Sequence, residues 1–78
     1  SEKKIGFTVA CINEFAQHYN LSIQEAFRYL FQFKGIAFIK ENYEVEHTLD
    51  FGTIIEDLGI LCRKKRRHVM RLYHGSIL

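Results

Sequence analysis

The chain has 78 residues and a formal net charge of +2, and 47% of its residues are apolar. A chain of this length forms at most one small domain, and the apolar content is too high for an intrinsically disordered protein. We see no signal peptide and no apolar run that approaches the length of a membrane-spanning helix. The composition therefore predicts a small globular protein of the cytoplasm.

The charge is divided unevenly along the chain. Residues 1–62 carry five basic and nine acidic side chains, whereas residues 63–78 carry six basic side chains and no acidic one. Six of the nine acidic residues lie in the range 41–57. The sequence thus predicts an acidic body that is followed by a basic tail.

Apolar residues at helical spacing predict two helices in the first half of the chain. The first covers residues 5–19 and ends at Asn20, which tolerates the left-handed conformation. Ser22 and Glu25 fit a capping box at the start of the second helix, and Gly35 is predicted to stop that helix. The residues predicted to form the apolar stripes of these helices are Ile5, Val9, Ile12, Phe15, Ala16, Tyr19, Ile23, Ala26, Phe27, Leu30 and Phe31.

Two further helices are predicted before residue 63. The third runs from Ile36 to about Val45, and the fourth begins at Asp50, whose side chain can cap the first turn. Gly59 lies inside the fourth helix and either weakens it or permits the close approach of a neighbouring helix. The predicted fold is all-α, a compact bundle of about four short helices over residues 5–62.

The cysteines and histidines do not form the pattern of a metal site. Cys11 and Cys62 each lie inside an amphipathic segment, which predicts buried free thiols in a reducing compartment. None of the four histidines is paired at the short spacing of a zinc finger or of a helical metal site. We therefore expect neither a metal nor a cofactor.

The segment 43–49 contains the residues that come nearest to an acid–base site. Glu44, Glu46 and His47 are close in sequence, but a turn between two helices favours a structural role. We expect His47 to bond to the backbone there and both glutamates to face water. No catalytic residue is predicted, and Tyr43, Glu46 and His47 are instead candidates for contacts with a partner.

A run of basic residues forms the predicted connector 63–68. Its candidate interaction residues are Arg63, Lys64, Lys65, Arg66 and Arg67. The run can be a solvated linker, or a group of cations that stabilises the end of the fourth helix through the helix dipole. It can also bind phosphate-rich nucleic acid, or the acidic region 41–57 of a second copy of the chain.

The tail 69–78 has the pattern of a short strand. A strand in this position would expose an unpaired apolar edge. We therefore expect it to fold onto the helices or to pair with another chain, most simply in a homodimer.

Several segments, taken together in their order and spacing, resemble a small bacterial family. These segments are Val9–Phe15, Asn20–Ser22, Glu25–Phe27, Lys34–Ile36, Tyr43–Leu49 and Glu56–Leu58. Over about residues 5–63 the chain resembles the domain of unknown function 3791, a family with no established activity. Genes of that family often neighbour or are fused to genes for an ADP-ribosyltransferase-like domain, so the resemblance implies such a domain as the partner.

The tail carries a second resemblance. Residues 71–76 are similar to the first core strand of an ADP-ribosyltransferase-like domain of the poly-ADP-ribose polymerase and diphtheria-toxin branch. Carried over, His74 would hold the ribose of NAD, and the backbone of Gly75 would lie near the nicotinamide. The later strands and the catalytic glutamate of that fold are absent from the sequence, so these two residues would act only if the missing transferase domain were present.

The predicted function is that of a non-enzymatic accessory domain that acts through protein contacts. By resemblance, it would position, restrain or neutralise an ADP-ribosyltransferase-like partner in the manner of an antitoxin. The alternative is a nucleic-acid-binding regulator that uses the basic run 63–67. A third interpretation is that the intact gene product is a transferase and that this chain is its amino-terminal module.

Overall fold

A computed structural model describes the backbone of residues 2–77 and the side chains of residues 2–66. The described residues form helices and turns and contain no β-strand, which confirms the all-α fold. The five helices are α1 (Glu2–Tyr19), α2 (Ile23–Gln32), α3 (Gly35–Glu41), α4 (Tyr43–Glu46) and α5 (Phe51–Ile77). No helix within these residues is long and apolar enough to cross a membrane.

The turn between α1 and α2 has the geometry that the sequence predicts. Asn20 adopts a left-handed conformation with φ of 55°. The amide of Leu21 then bonds back to the carbonyl of Ala16 at 2.8 Å, which satisfies a terminal carbonyl of α1. The Ser22 hydroxyl accepts a bond from the Glu25 amide at 3.1 Å, and the Glu25 carboxylate accepts one from the Ser22 amide at 2.9 Å. Both the predicted helix end and the predicted capping box are confirmed.

The turn between α2 and α3 differs from the prediction in the residue that reverses the chain. Lys34 takes the left-handed conformation with φ of 68°, and Gly35 is the first residue of α3. A Cβ atom at Gly35 would lie 2.7 Å from Cδ2 of Leu30 and 3.2 Å from its carbonyl oxygen. Glycine is therefore required here by the close packing of α3 against the end of α2, and not by its backbone conformation.

The third predicted helix is divided at Asn42 into α3 and α4. Asn42 has φ of −111° and ψ of 24°, and its side-chain amide donates to the carbonyl of Phe38 at 3.0 Å. The backbone amide of Asn42 donates to the same carbonyl at 3.0 Å, so the helix breaks after this bond, where Asn42 leaves the helical conformation. The cap of the last helix is confirmed, because the carboxylate of Asp50 accepts a bond from the Thr53 amide at 2.7 Å.

The last helix extends far beyond its predicted end. The backbone is helical through Ile77, so the strand predicted for 69–76 is wrong, as is the placement of the basic run at a helix end. The segment 63–77 contains no proline, and six of its 15 residues are arginine or lysine, which favour helix. Adding such residues to a helix that has already formed requires no new nucleation. The side chains of residues 67–78, including those of Arg67 and His74, lie outside the described residues.

The hydrophobic core is formed by α1, α2, α3 and α5. Its buried apolar residues are Cys11, Ile12, Phe15, Ala16, Ala26, Leu30, Ile36, Ile39, Ile54, Ile55, Leu58 and Cys62. Both cysteines are fully buried and free, as the sequence predicts.

The prediction of the buried face is wrong for part of α1 and α2. The exposed residues that belong to a predicted apolar stripe are Ile5, Val9, Tyr19, Ile23, Phe27 and Phe31. The core instead receives Ala26 and Leu30 from α2, and the flanking aromatic residues Tyr29 and Phe33 pack against it. Helix α2 is thus apolar on two sides, and its neighbours cover only one of them.

Candidate interaction surfaces

The most prominent surface is an exposed apolar face on α1 and α2. We use the name apolar face for the residues Ile5, Val9, Ile23, Phe27 and Phe31. Their exposed fractions lie between 46% and 66%, which is high for side chains of this size. Single exposed apolar residues are common on proteins, but a contiguous apolar surface is characteristic of an interaction site.

Four of the five members of the apolar face line two open grooves. The first has a volume of about 470 Å³ and includes Val9, Ile23 and Phe27 in its wall. The second has a volume of about 450 Å³ and includes Ile5, Val9 and Phe27. Both grooves also share Ile12. Because they share these side chains, the two grooves lie side by side, and we refer to them together as the depression on α1 and α2.

The rim of this depression is basic. Arg28 borders the first groove, and Lys4 and Lys40 border the second. Among the side chains that the structure describes, no aspartate or glutamate lines either groove. The surface therefore has the chemistry to receive an apolar segment that carries acidic side chains at its edges.

Helical periodicity explains how α2 presents this surface. Ile23, Phe27 and Phe31 are spaced four residues apart, so they form one row along the helix. The rings of Phe27 and Phe31 are stacked with centroids 6.0 Å apart, which supports each ring in its exposed position. Sequence reasoning assigned this row to the core. The signal against that assignment was the presence of Tyr29 and Phe33 on a second side of the same helix.

The predicted contact residues Tyr43 and His47 form a local cluster at α4. Their rings are stacked at 4.5 Å with an angle of 8°, and Nδ1 of His47 donates to the carbonyl of Tyr43 at 2.6 Å. The predicted bond from His47 to the backbone is confirmed. Phe7 packs its edge against Tyr43 at 5.5 Å, and the amino group of Lys4 lies 5.8 Å from the Tyr43 ring. These contacts hold α4 against the start of α1.

The prediction that Glu46 faces water is wrong. The residue is only 4% exposed, and its Oε1 atom has no hydrogen-bond partner among the described residues. Burial raises the pKa of the Glu46 carboxyl, and the charge of Asp57 and a hydrogen bond with Asp57 raise it further. The short helix α4 directs this side chain inward. The positions of the glutamates in the sequence alone do not show that one of them is buried. Glu46 is therefore a buried group that is unavailable for contacts with a partner.

Both cysteine thiols are held in their neutral form. Burial raises the pKa of Cys11 to about 12, and the nearby charges of Glu46 and Glu14 contribute in the same direction. Burial likewise raises the pKa of Cys62 to about 11. Because the thiolate is the nucleophile, neither cysteine is activated for covalent chemistry at neutral pH.

The basic run lies on α5 and is separate from the Tyr43–His47 cluster. Arg63, Lys64, Lys65 and Arg66 are all exposed. Arg63 and Arg66 border a third cleft, whose described lining includes none of Tyr43, Glu46 and His47. The predicted candidates thus fall into different parts of the surface instead of forming one site.

No group of three or more histidine, cysteine, aspartate or glutamate side chains within the described part of the chain could hold a metal ion. His74 and Gly75, which the tail resemblance would place in an NAD site, lie outside the described side chains.

Comparison with known proteins gives one match. The model of a family described as Protein of unknown function (DUF3791) matches residues 6–65. Neither a curated protein nor a solved structure matches the chain.

Proposed function

The chain belongs to the DUF3791 family of proteins of unknown function, and we propose that it is a non-enzymatic accessory domain that acts by binding another protein. The observation that carries this proposal is the apolar face of α1 and α2. Five large apolar side chains are exposed there, and four of them line two adjacent open grooves. Interfaces are centred on such apolar and aromatic anchors.

The basic rim specifies the chemistry of the partner. Lys4, Arg28 and Lys40 surround apolar anchors, which favours a partner segment that places apolar side chains in the grooves and acidic ones at the edges. A second copy of the chain that docks through its basic tail would bring like charges together. The apolar face is therefore better suited to a different protein than to the tail of another copy.

We propose an ADP-ribosyltransferase-like domain as that partner, which this domain would position, restrain or neutralise. The support for this choice is the association of the family with such domains. The similarity of residues 71–76 to a transferase strand adds nothing to it, because the backbone there is helical. A cytoplasmic location forms part of the proposal, and the two free buried thiols are consistent with a reducing compartment.

Co-expression with the complete transferase-like neighbour tests the proposal. We expect the two proteins to co-purify and the domain to change the activity of the transferase. The variant Phe27→Ser/Phe31→Ser should weaken the complex by about tenfold or more, because two anchors lose their apolar contacts.

A matched control is available in the same chain. Val45 and Ile60 are exposed apolar residues on other helices, outside the apolar face, with exposed fractions of 62% and 48%. The variant Val45→Ser/Ile60→Ser should bind as the unmodified domain does. The absence of a complex together with unchanged transferase activity would remove the proposed partner, and equal losses in both variants would remove the proposed surface.

One observation favours nucleic acid as the second candidate. Residues 63–66 expose four consecutive cations on a continuous helix, which can follow a phosphate backbone without reading bases. Binding of this kind weakens steeply as salt is added. Titration of duplex DNA at several salt concentrations tests it, and an absence of binding at low salt would exclude it.

A further inference from the structure

A third cleft lies between α1, α2 and α5 and shares no lining residue with the grooves of the apolar face. It has a volume of about 390 Å³ and is open to the surface. Its wall includes Phe15 and Tyr19 from α1, Tyr29 from α2, and Gly59, Arg63 and Arg66 from α5. Volumes of this size are typical of sites for small ligands.

Aromatic rings form the apolar wall of the cleft. Phe15 is buried, and its ring lies 4.7 Å from that of Tyr19 and 5.9 Å from that of Tyr29, nearly parallel to the latter at 22°. Phe33 packs against Tyr29 from another direction at 4.9 Å. The mutual packing of these rings fixes the wall before any ligand arrives, which lowers the entropic cost of binding.

Gly59 provides the space for one polar group of the cleft. A Cβ atom at this position would lie 3.0 Å from the hydroxyl oxygen of Tyr19. The glycine inside α5 thus allows the Tyr19 hydroxyl to approach the helix backbone. This close approach is one of the two roles that the sequence suggested for Gly59.

The polar groups of the cleft are all able to donate hydrogen bonds. Arg63 and Arg66 are three residues apart on α5, so they lie on one side of the helix. Burial raises the pKa of the Tyr29 hydroxyl, while the charges of Arg66 and Arg63 act on it in the opposite direction. Both arginines line the same cleft as Tyr29. No aspartate or glutamate within residues 2–66 lines the cleft.

We propose that this cleft binds a small molecule in which a flat aromatic ring carries a phosphate or a carboxylate group. The ring would stack on the aromatic wall, and the anionic group would accept hydrogen bonds from Arg63 and Arg66. Guanidinium groups bind both phosphate and carboxylate in a bidentate manner, and stacking on tyrosine requires only a flat face in the ligand. The ligand class is thus set by the pairing of an aromatic wall with two cations.

Titration of the 78-residue chain with four small probes, followed by amide NMR shifts, tests this assignment. Phenyl phosphate and benzoate carry both parts of the ligand, whereas inorganic phosphate and benzyl alcohol each carry one. We expect saturable binding of at least one complete probe, with shifts at Tyr19, Tyr29 and Gly59. Each partial probe should bind at least about tenfold more weakly, because it lacks one of the two sets of contacts.

Two double variants separate the site from the general positive charge of α5. Arg63→Gln/Arg66→Gln should weaken the complete probe by about tenfold or more, because charge-assisted hydrogen bonds are lost. Lys64→Gln/Lys65→Gln removes the same charge from residues that do not line the cleft, and it should leave the affinity within about twofold. All four residues are exposed, so folding should survive in both variants.

Two results would overturn the proposal. One is the absence of saturable binding by either complete probe. The other is an equal loss of affinity in both double variants, which would indicate attraction to the charge of the helix alone. Neither result bears on the apolar face, which the co-expression experiment tests separately.

Discussion

The two sides of α2 are both apolar, but their surroundings differ. Ala26 and Leu30 are buried in the core, whereas Ile23, Phe27 and Phe31 are exposed on the adjoining side. The core is filled without the three exposed residues of α2, because α1, α3 and α5 supply its remaining residues. The exposed apolar side of α2 is more surface than the core requires, and it is therefore the side of the helix that indicates a function.

The largest expected effect is the difference in stability between variants of Leu30 and Phe31. These residues are neighbours in the sequence but lie on different sides of α2. Leu30 is fully buried, so Leu30→Ala should lower the free energy of unfolding by about 3 kcal/mol. Phe31 is 66% exposed, so Phe31→Ala should change it by less than about 0.5 kcal/mol. Urea denaturation of both variants measures the difference. Similar losses in the two variants would mean that Phe31 belongs to the core.

A smaller effect is expected where α3 packs against the buried side of α2. Gly35→Ala would press a methyl group against Leu30, and we expect a loss of about 2 kcal/mol. Gly6 serves as the control because a Cβ atom there would meet nothing within 4 Å. Gly6→Ala should raise the free energy of unfolding by about 0.5–1 kcal/mol, because alanine has the higher helix propensity. Thermal denaturation of the two variants compares them, and a stabilising Gly35→Ala would contradict the close packing.

The smallest effect concerns the buried carboxyl of Glu46. Its pKa is raised in the folded protein above the ordinary value of 4.5, so the folded state holds the proton at pH values where the unfolded state has lost it. Stability from this group is therefore present at low pH and falls as the pH rises above about 4.5. Glu46→Gln should remove this loss of stability with rising pH, and it should raise the free energy of unfolding at pH 7 by about 1 kcal/mol.

Glu44 is the matched control for this prediction, because it is exposed on the same short helix. Denaturation of both variants between pH 4 and pH 8 gives the comparison. Glu44→Gln should leave the pH profile of the unmodified chain in place. A profile for Glu46→Gln that is parallel to that of the unmodified chain would show that Glu46 does not titrate as described.

Local signals in the sequence predicted much of the fold. The Ser22–Glu25 capping box, the cap at Asp50 and the left-handed Asn20 depend on contacts within a few residues, and all three are confirmed. The break at Asn42 was missed because the helical spacing of the apolar residues Ile36, Ile39 and Tyr43 continues across it. The strand predicted in the tail was wrong because a strand-like pattern over a few residues cannot be distinguished from the continuation of an existing helix.

The candidate sites were less accessible to sequence reasoning. Periodicity identified the apolar residues of α1 and α2 but could not decide which of them a neighbouring helix would cover. The inward direction of Glu46 depends on the short helix α4, which begins after a break at Asn42 that was not predicted. The cleft at Arg63 joins residues that are up to 51 positions apart, from Phe15 to Arg66, and only the tertiary packing brings them together.

Hydrogen–deuterium exchange of the domain with and without the proposed transferase-like partner tests the central claim most directly. If the apolar face is the docking surface, amides in residues 5–9 and 23–31 should exchange more slowly in the complex, and those in 41–47 should be unchanged. Protection confined to residues 41–47 or 63–67, with none on α1 and α2, would contradict the account.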